Sequence, residues 1–192
     1  MAKHVFIIHR WDGTPESDWY PWLKRELEQE GLNVKIPAMP DTDKPKIEKW
    51  VHFLEEQAGE INQNTFFVGH SIGCQAILRL IQKLPDDEKI GGAVLVAGWT
   101  NLNEETLEDE STRRIAMPWI ETPILWKKIL MHAKKFTAIF SDNDPYVPMT
   151  ESGIFKEKLG ANIIIENKKG HMTEEDGITE LPSILESVLK MV

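Results

Sequence analysis

A chain of 192 residues is long enough to bury about 70% of its unfolded surface and to hold a core without staples. Its formal charge of −9 opposes binding to a phosphate backbone, so nucleic acid is not an expected partner. The lone Cys74 has no internal disulfide partner, no apolar run approaches the roughly 18 residues of a membrane helix, and the N-terminus lacks a signal-peptide h-region, which together predict a cytoplasmic protein away from membranes.

The first strand is predicted at Val5-Phe6-Ile7-Ile8, a continuous β-rich run of the kind found in strands covered on both faces, and it stops at the turn-rich His9-Arg10-Trp11-Asp12-Gly13. A helix follows, with Asp18 as candidate N-cap, Pro21 in the first turn, Trp19, Trp22, Leu23 and Leu27 along one face, and Gly31 at its end. Residues 33–36 form a short second strand. Beyond the Pro37 and Pro40 loop, Ile47, Trp50, Val51, Leu54, Ala58 and Ile61 recur at helical spacing. A third strand at 66–68 leads into a helix ending near Leu84-Pro85, and 92–97 is the fourth strand. Residues 99–135 break the rhythm with an acidic run at 104–110 followed by Pro118, Trp119, Pro123 and Trp126, and are expected to form a small lid or excursion plus one helix. A fifth strand at 136–140, a helix at 151–159 and a sixth strand at 162–165 follow. Ile178, Leu181, Leu185, Val188 and Leu189 mark a C-terminal helix with Pro182 in its first turn.

This alternation predicts an α/β fold of three layers, in which a six-stranded, mainly parallel sheet of order 2-1-3-4-5-6 carries helices on both faces. Residues 1–192 are expected to be one domain. In such sheets ligands bind beyond the carboxyl ends of the strands, where the winding reverses, and the loops after strands one and three flank that point.

The third strand ends in Gly69-His70-Ser71-Ile72-Gly73, a G-x-S-x-G pattern between a strand and a helix. Chance alone predicts about 0.03 such matches in a chain of this composition. Only glycine leaves room for so sharp a turn, which lifts a serine to the apex beside the free N–H groups of the next helix. Serine is a weak nucleophile without a base and a carboxylate to orient that base. Both lie past later strands, in Asp142-Asn143-Asp144-Pro145-Tyr146-Val147-Pro148 and in Gly170-His171, in the order Ser, Asp, His expected of this fold. Asp144 is preferred to Asp142 because Pro145 and Pro148 stiffen the chain around it, and His9, at the rim after the first strand, is the one competitor of His171. The oxyanion hole is assigned to the backbone N–H groups of Ile72 and Trp11. A substrate pocket walled by His9, Trp99, Trp119 and Trp126 is expected at the strand ends, and the acidic run at 104–110 as a solvated face. No motif for a metal, nucleotide or flavin is present.

With these motifs and the Trp19 to Trp22 segment, essentially the whole chain resembles the small serine hydrolases of the α/β-hydrolase superfamily, the group of retinoblastoma-binding protein 9 and the bacterial YdeN-like proteins. The resemblance implies a nearly capless fold with Ser71, Asp144 and His171 as its triad, no cofactor, and a small ester, amide or short peptide as substrate. Carboxylesterase and aminopeptidase-like activities both belong to the group. Thioesterase activity, or a protein-binding role on a hydrolase scaffold, are the alternatives. One departure is that His9-Arg10-Trp11 stands where many hydrolases carry His-Gly, which puts a side chain beside the second oxyanion donor.

Overall fold

A computed structural model describes residues 2–192. Six strands form one sheet in the order β2-β1-β3-β4-β5-β6, and every neighbouring pair is parallel. The central strands β1 (His4–Ile8), β3 (Thr65–His70), β4 (Gly92–Val96) and β5 (Phe136–Ser141) are buried on both faces, which is why they read as apolar runs without alternation. The edge strands β2 (Asn33–Lys35) and β6 (Asn162–Glu166) are partly exposed. Helices cover both faces: α1 (Tyr20–Gln29) packs with a C-terminal helix, Pro182–Leu189, while α2 (Ile47–Ala58) packs against α3 (Ile72–Ile81). The fold class and strand order are those predicted, and no helix is long and apolar enough to cross a membrane.

Three local expectations are corrected. Asp18 does not cap α1: Trp19 takes that position without a side-chain cap, while Asp18 sits at φ 56° with its carboxylate turned into the protein. Ile61, Ile178 and Leu181 are buried but stand outside the helices they were read into, because a loop residue that anchors itself in the core has the same composition as a helical one. Residues 99–135 hold three helices, α4 (Glu104–Glu108), α5 (Glu110–Glu121) and α6 (Trp126–His132), before α7 (Thr150–Leu159) and the C-terminal α8 (Pro182–Leu189). Asp109, inside the acidic run, caps α5 by accepting the Thr112 N–H at 2.7 Å.

The end of α5 is tied to α3 by Arg79. Arg79, buried on α3, donates through Nη2 to the carbonyls of Trp119 at 2.7 Å and Thr122 at 2.8 Å, and through Nε and Nη2 to Gln75 Oε1. A guanidinium at the end of α5 satisfies carbonyls that the helix leaves free and meets the negative end of its dipole. Burial lowers the Arg79 pKa to about 10, which leaves it charged at neutral pH.

The turn between β3 and α3 depends on its glycines. A Cβ on Gly73 would lie 2.4 Å from the carbonyl oxygen of Ile8, and one on Gly69 would lie 2.8 Å from the Cys74 nitrogen. Both obstacles are backbone, so the sheet or the helix has to move. Gly73→Ala is therefore expected to cost about 2 kcal/mol or more in urea unfolding. Unchanged stability of that variant would contradict the close approach of α3 to β1.

Candidate active site

Ser71 stands at φ 54° and ψ −120°, a conformation rarely tolerated outside glycine, and its N–H is held by the Val96 carbonyl at 2.8 Å. Its hydroxyl oxygen accepts the indole N–H of Trp99 at 3.3 Å. Cys74, one turn on, donates its thiol to the Val96 carbonyl and is wholly buried, and burial pushes its pKa up, so the thiol stays protonated and inert.

The loops after β5 and β6 meet beside Ser71. His171 Nδ1 donates to Asp144 Oδ2 at 2.8 Å, while Asp144 Oδ1 accepts the N–H groups of Tyr146 at 2.9 Å and Val147 at 3.1 Å. The second oxygen thereby fixes the carboxylate, and the first fixes the ring tautomer that leaves Nε2 with a lone pair. Asp142 ties the two loops together by accepting the Asn167 side-chain N–H at 2.6 Å and the Lys168 N–H at 2.7 Å. Ser71 and His171 line one cavity of about 490 Å³ with Arg10, Trp11, Trp99 and Tyr146. No hydrogen bond joins Ser71 to His171; the serine hydroxyl is turned to Trp99 instead.

At the loop after β1, the Arg10 N–H donates to the Tyr20 hydroxyl at 3.1 Å and the Asp12 N–H to the Thr42 carbonyl at 3.0 Å. The Trp11 N–H between them has no protein acceptor among the described residues, and neither does the Ile72 N–H that opens α3. Arg10 does not obstruct this loop. Its Nε donates to Asp18 Oδ2 at 2.9 Å and its Nη1 to the Trp11 carbonyl at 3.2 Å, so the side chain clamps the loop.

Of the four predicted pocket residues Trp99 lines the cavity and three do not, while Trp11, predicted as an oxyanion donor, lines it as well. His9 is fully buried, donating from Nδ1 to the Arg10 carbonyl and accepting the Met39 N–H at Nε2, with its ring against the edge of Trp50. Trp119 belongs to the core, where its indole donates to the Pro45 carbonyl and its ring meets Trp50 and the Arg79 guanidinium. Trp126 packs against Phe155. Each ring belongs to a loop or excursion near the cavity, but buried aromatics turn toward whatever acceptor and packing space the core offers. Leu102 and Thr106, the latter within the acidic stretch read as a solvated face, also reach the cavity wall.

Sequence reasoning missed a buried polar network behind His171. His70 Nε2 lies 2.8 Å from the His171 carbonyl, which only accepts, so Nε2 carries the proton and Nδ1 accepts from the Tyr20 hydroxyl at 2.7 Å. Asp18, ion-paired with Arg10, accepts the Glu174 N–H at 2.9 Å, and the Trp19 indole donates to the Met172 carbonyl at 3.1 Å. Burial, reinforced by the nearby His171, lowers the His70 pKa to about 3. Burial also lowers that of His9. Burial would raise Asp18, but the neighbouring His70 ring, Arg10 and the Glu174 N–H outweigh it and hold the carboxyl below its usual range. Tyr146, T-stacked on the His171 ring, was also missed, although it stands two residues after Asp144. Among the described residues no group of three or more His, Cys, Asp or Glu is arranged to hold a metal ion.

Known sequences and structures resemble the chain over nearly its whole length. A family model described as serine hydrolase matches residues 5–190. The chain is 32% identical over 185 residues to YdeN of Bacillus subtilis (strain 168), covering 96% of this chain and 93% of that protein. Against the serine hydrolase RBBP9 of Rattus norvegicus it is 26% identical, with 89% and 86% covered. The crystal structure of the B. subtilis ydeN gene product superposes with a TM-score of 0.89 at 29% identity, over 99% of this chain and 98% of that one.

The buried histidines and Asp18 act in one direction on stability. His70 binds its proton in the unfolded chain near pH 6.5 but in the folded one only near 3, so stability falls as pH drops through that window. His9, also lowered, adds to the loss, and so does Asp18 as pH falls toward its folded pKa. We expect the unfolding free energy to decline with acid at up to about 1.4 kcal/mol per pH unit for each histidine, and His70→Gln to remove one such share. A urea titration series between pH 7 and 4 checks this; identical pH profiles for wild type and variant would mean that His70 is not held neutral.

Proposed function

Because the chain belongs to the serine hydrolase family and has the α/β-hydrolase fold, we propose that it cleaves small carboxylic esters or amides through an acyl-enzyme on Ser71. The observation that carries this reading is the 2.8 Å bond from His171 Nδ1 to Asp144, with His171 and Ser71 on the wall of one cavity. In the proposed mechanism the Ser71 side chain moves within reach of His171, whose Nε2 takes the hydroxyl proton as Oγ attacks the substrate carbonyl. The carbonyl oxygen, now negative, is met by the Ile72 and Trp11 N–H groups and by the positive end of α3. His171 gives the proton to the leaving group, and water then releases the acid with His171 again as base. Asp144 stabilises the imidazolium throughout.

Trp11, Trp99 and Tyr146 give the cavity an aromatic wall suited to a compact acyl or aryl group, which favours a carboxylesterase-like substrate. Est1E of Butyrivibrio proteoclasticus, 14% identical with a TM-score of 0.72 over 99% of this chain and 89% of that one, has been solved with ferulic acid, an aromatic acid. A second reading, cleavage of aminoacyl amides, has one observation in its favour. The acidic residues Asp12, Glu175 and Asp176 line the same cavity, the last bonded to Thr173, while its one cation, Arg10, is already paired with Asp18.

Ser71→Ala and His171→Ala are each expected to lower turnover of p-nitrophenyl acetate by about a thousandfold or more while leaving the fold intact. Ser71→Ala should also abolish labelling by a fluorophosphonate probe. Rates equal to wild type in the serine variant would end the proposal, and a panel of aryl esters against aminoacyl arylamides decides between the two substrate classes.

A further inference from the structure

We infer that Trp99 is a catalytic residue of the deacylation half-reaction, its indole N–H stabilising Ser71 Oγ as that oxygen leaves the acyl group. The inference rests on the Ser71-dependent hydrolysis proposed above and deepens it. Among the described residues, five indoles have hydrogen-bond acceptors. Those of Trp11, Trp19, Trp50 and Trp119 donate to the backbone carbonyls of Asp43, Met172, Pro40 and Pro45, whereas Trp99 donates to a side chain, the proposed nucleophile. An indole N–H has no acceptor capacity, and Trp99 is only 1% exposed, so Ser71 Oγ is its sole partner among the described residues.

The ring is held in place by its own loop. Ala97, at φ 46°, bends the chain out of β4, and the buried carboxylate of Glu151 accepts the Thr100 N–H at 2.7 Å, the Thr100 hydroxyl at 2.9 Å and the Asn101 N–H at 3.2 Å. A carboxylate out of water is costly unless several donors satisfy it, and here the donors belong to the two residues that follow Trp99. The indole therefore cannot easily follow Oγ when its chemistry changes.

That chemistry changes by one bond. In the free enzyme Oγ is a hydroxyl oxygen and a good acceptor. In the acyl-enzyme its lone pair is delocalised into the ester carbonyl, and the buried N–H is left nearly unpaired, which destabilises the intermediate. In deacylation water adds to the carbonyl carbon as His171 Nε2 takes one of its protons. The C–Oγ bond then breaks with its electron pair going to Oγ, and the imidazolium returns the proton to Oγ, leaving the carboxylic acid and free serine. The Trp99 N–H meets the charge that builds on Oγ in that step, so it favours the transition state over the acyl-enzyme. In acylation the same bond is present in the free enzyme as well as at the transition state, so it brings no gain there.

The test is stopped-flow hydrolysis of p-nitrophenyl acetate by wild type, Trp99→Phe, Glu151→Gln and Ser71→Ala, with thermal melts of each. For Trp99→Phe we expect kcat and KM to fall together by about tenfold, equivalent to 1.4 kcal/mol, with kcat/KM within about threefold of wild type. The burst of p-nitrophenol should rise toward one equivalent per enzyme. Glu151→Gln, which keeps the indole but loosens its loop, should move the same way by a smaller factor, and it carries the test if the tryptophan variant does not fold. An equal fall in kcat and kcat/KM, or no change in deacylation, would overturn the inference while leaving the hydrolase reading in place. Absence of Ser71-dependent turnover in wild type would remove both.

Discussion

The hydrogen bond from His70 Nε2 to the His171 carbonyl is the point on which the site's geometry depends. His171 follows β6, which lies three strand positions from β3, roughly 14 Å at ordinary strand spacing. A segment leaving the sheet edge has to travel back across the strand ends and stop in register with the serine turn. It stops because successive residues are caught on arrival: the His171 carbonyl by His70, the Met172 carbonyl by Trp19, and the Glu174 N–H by Asp18. His70 adjoins Ser71, so the proposed base and nucleophile are referenced to one piece of backbone.

The same network reaches the loop after β1. The Tyr20 hydroxyl donates to His70 and accepts the Arg10 N–H, one residue before the untied N–H of Trp11. Because a carbonyl fixes one end of this chain of bonds, every proton in it has a determined position. Its members are buried, and a half-satisfied version would cost more than an apolar core. The Asp18 to Arg10 ion pair has its charges satisfied from both sides, by the Trp11 carbonyl and by the Glu174 N–H. That satisfaction makes a strained, buried carboxylate tolerable at position 18.

What was legible in the sequence was what local chemistry dictates. Continuous apolar runs belong to doubly covered strands, and G-x-S-x-G is a steric demand confined to five residues. Asp144 and His171 were legible because they stand just past strands, where position along the chain nearly determines position in space. The direction in which a large ring points is set by the far side of the core, so Trp99 lines the cavity while Trp119 and Trp126, in the same excursion, do not. Asp18 looked like a helix cap for the same reason. A cap and a buried ion pair call for the same residue type, and Arg10, its partner, stands before a loop whose path back to Asp18 no periodicity encodes.

Arg79 divides the excursion into two parts with different freedom to change. From Trp119 onward it is bolted to α3 and so to the serine turn, and an alteration there is transmitted to the sheet. Ahead of α5, α4 has no buried residue, although Thr106 faces the cavity. Width and polarity at that side of the cavity are thus open to substitution without disturbing the elbow. Divergence of substrate preference among chains of this architecture has its least constrained path through residues 104–108.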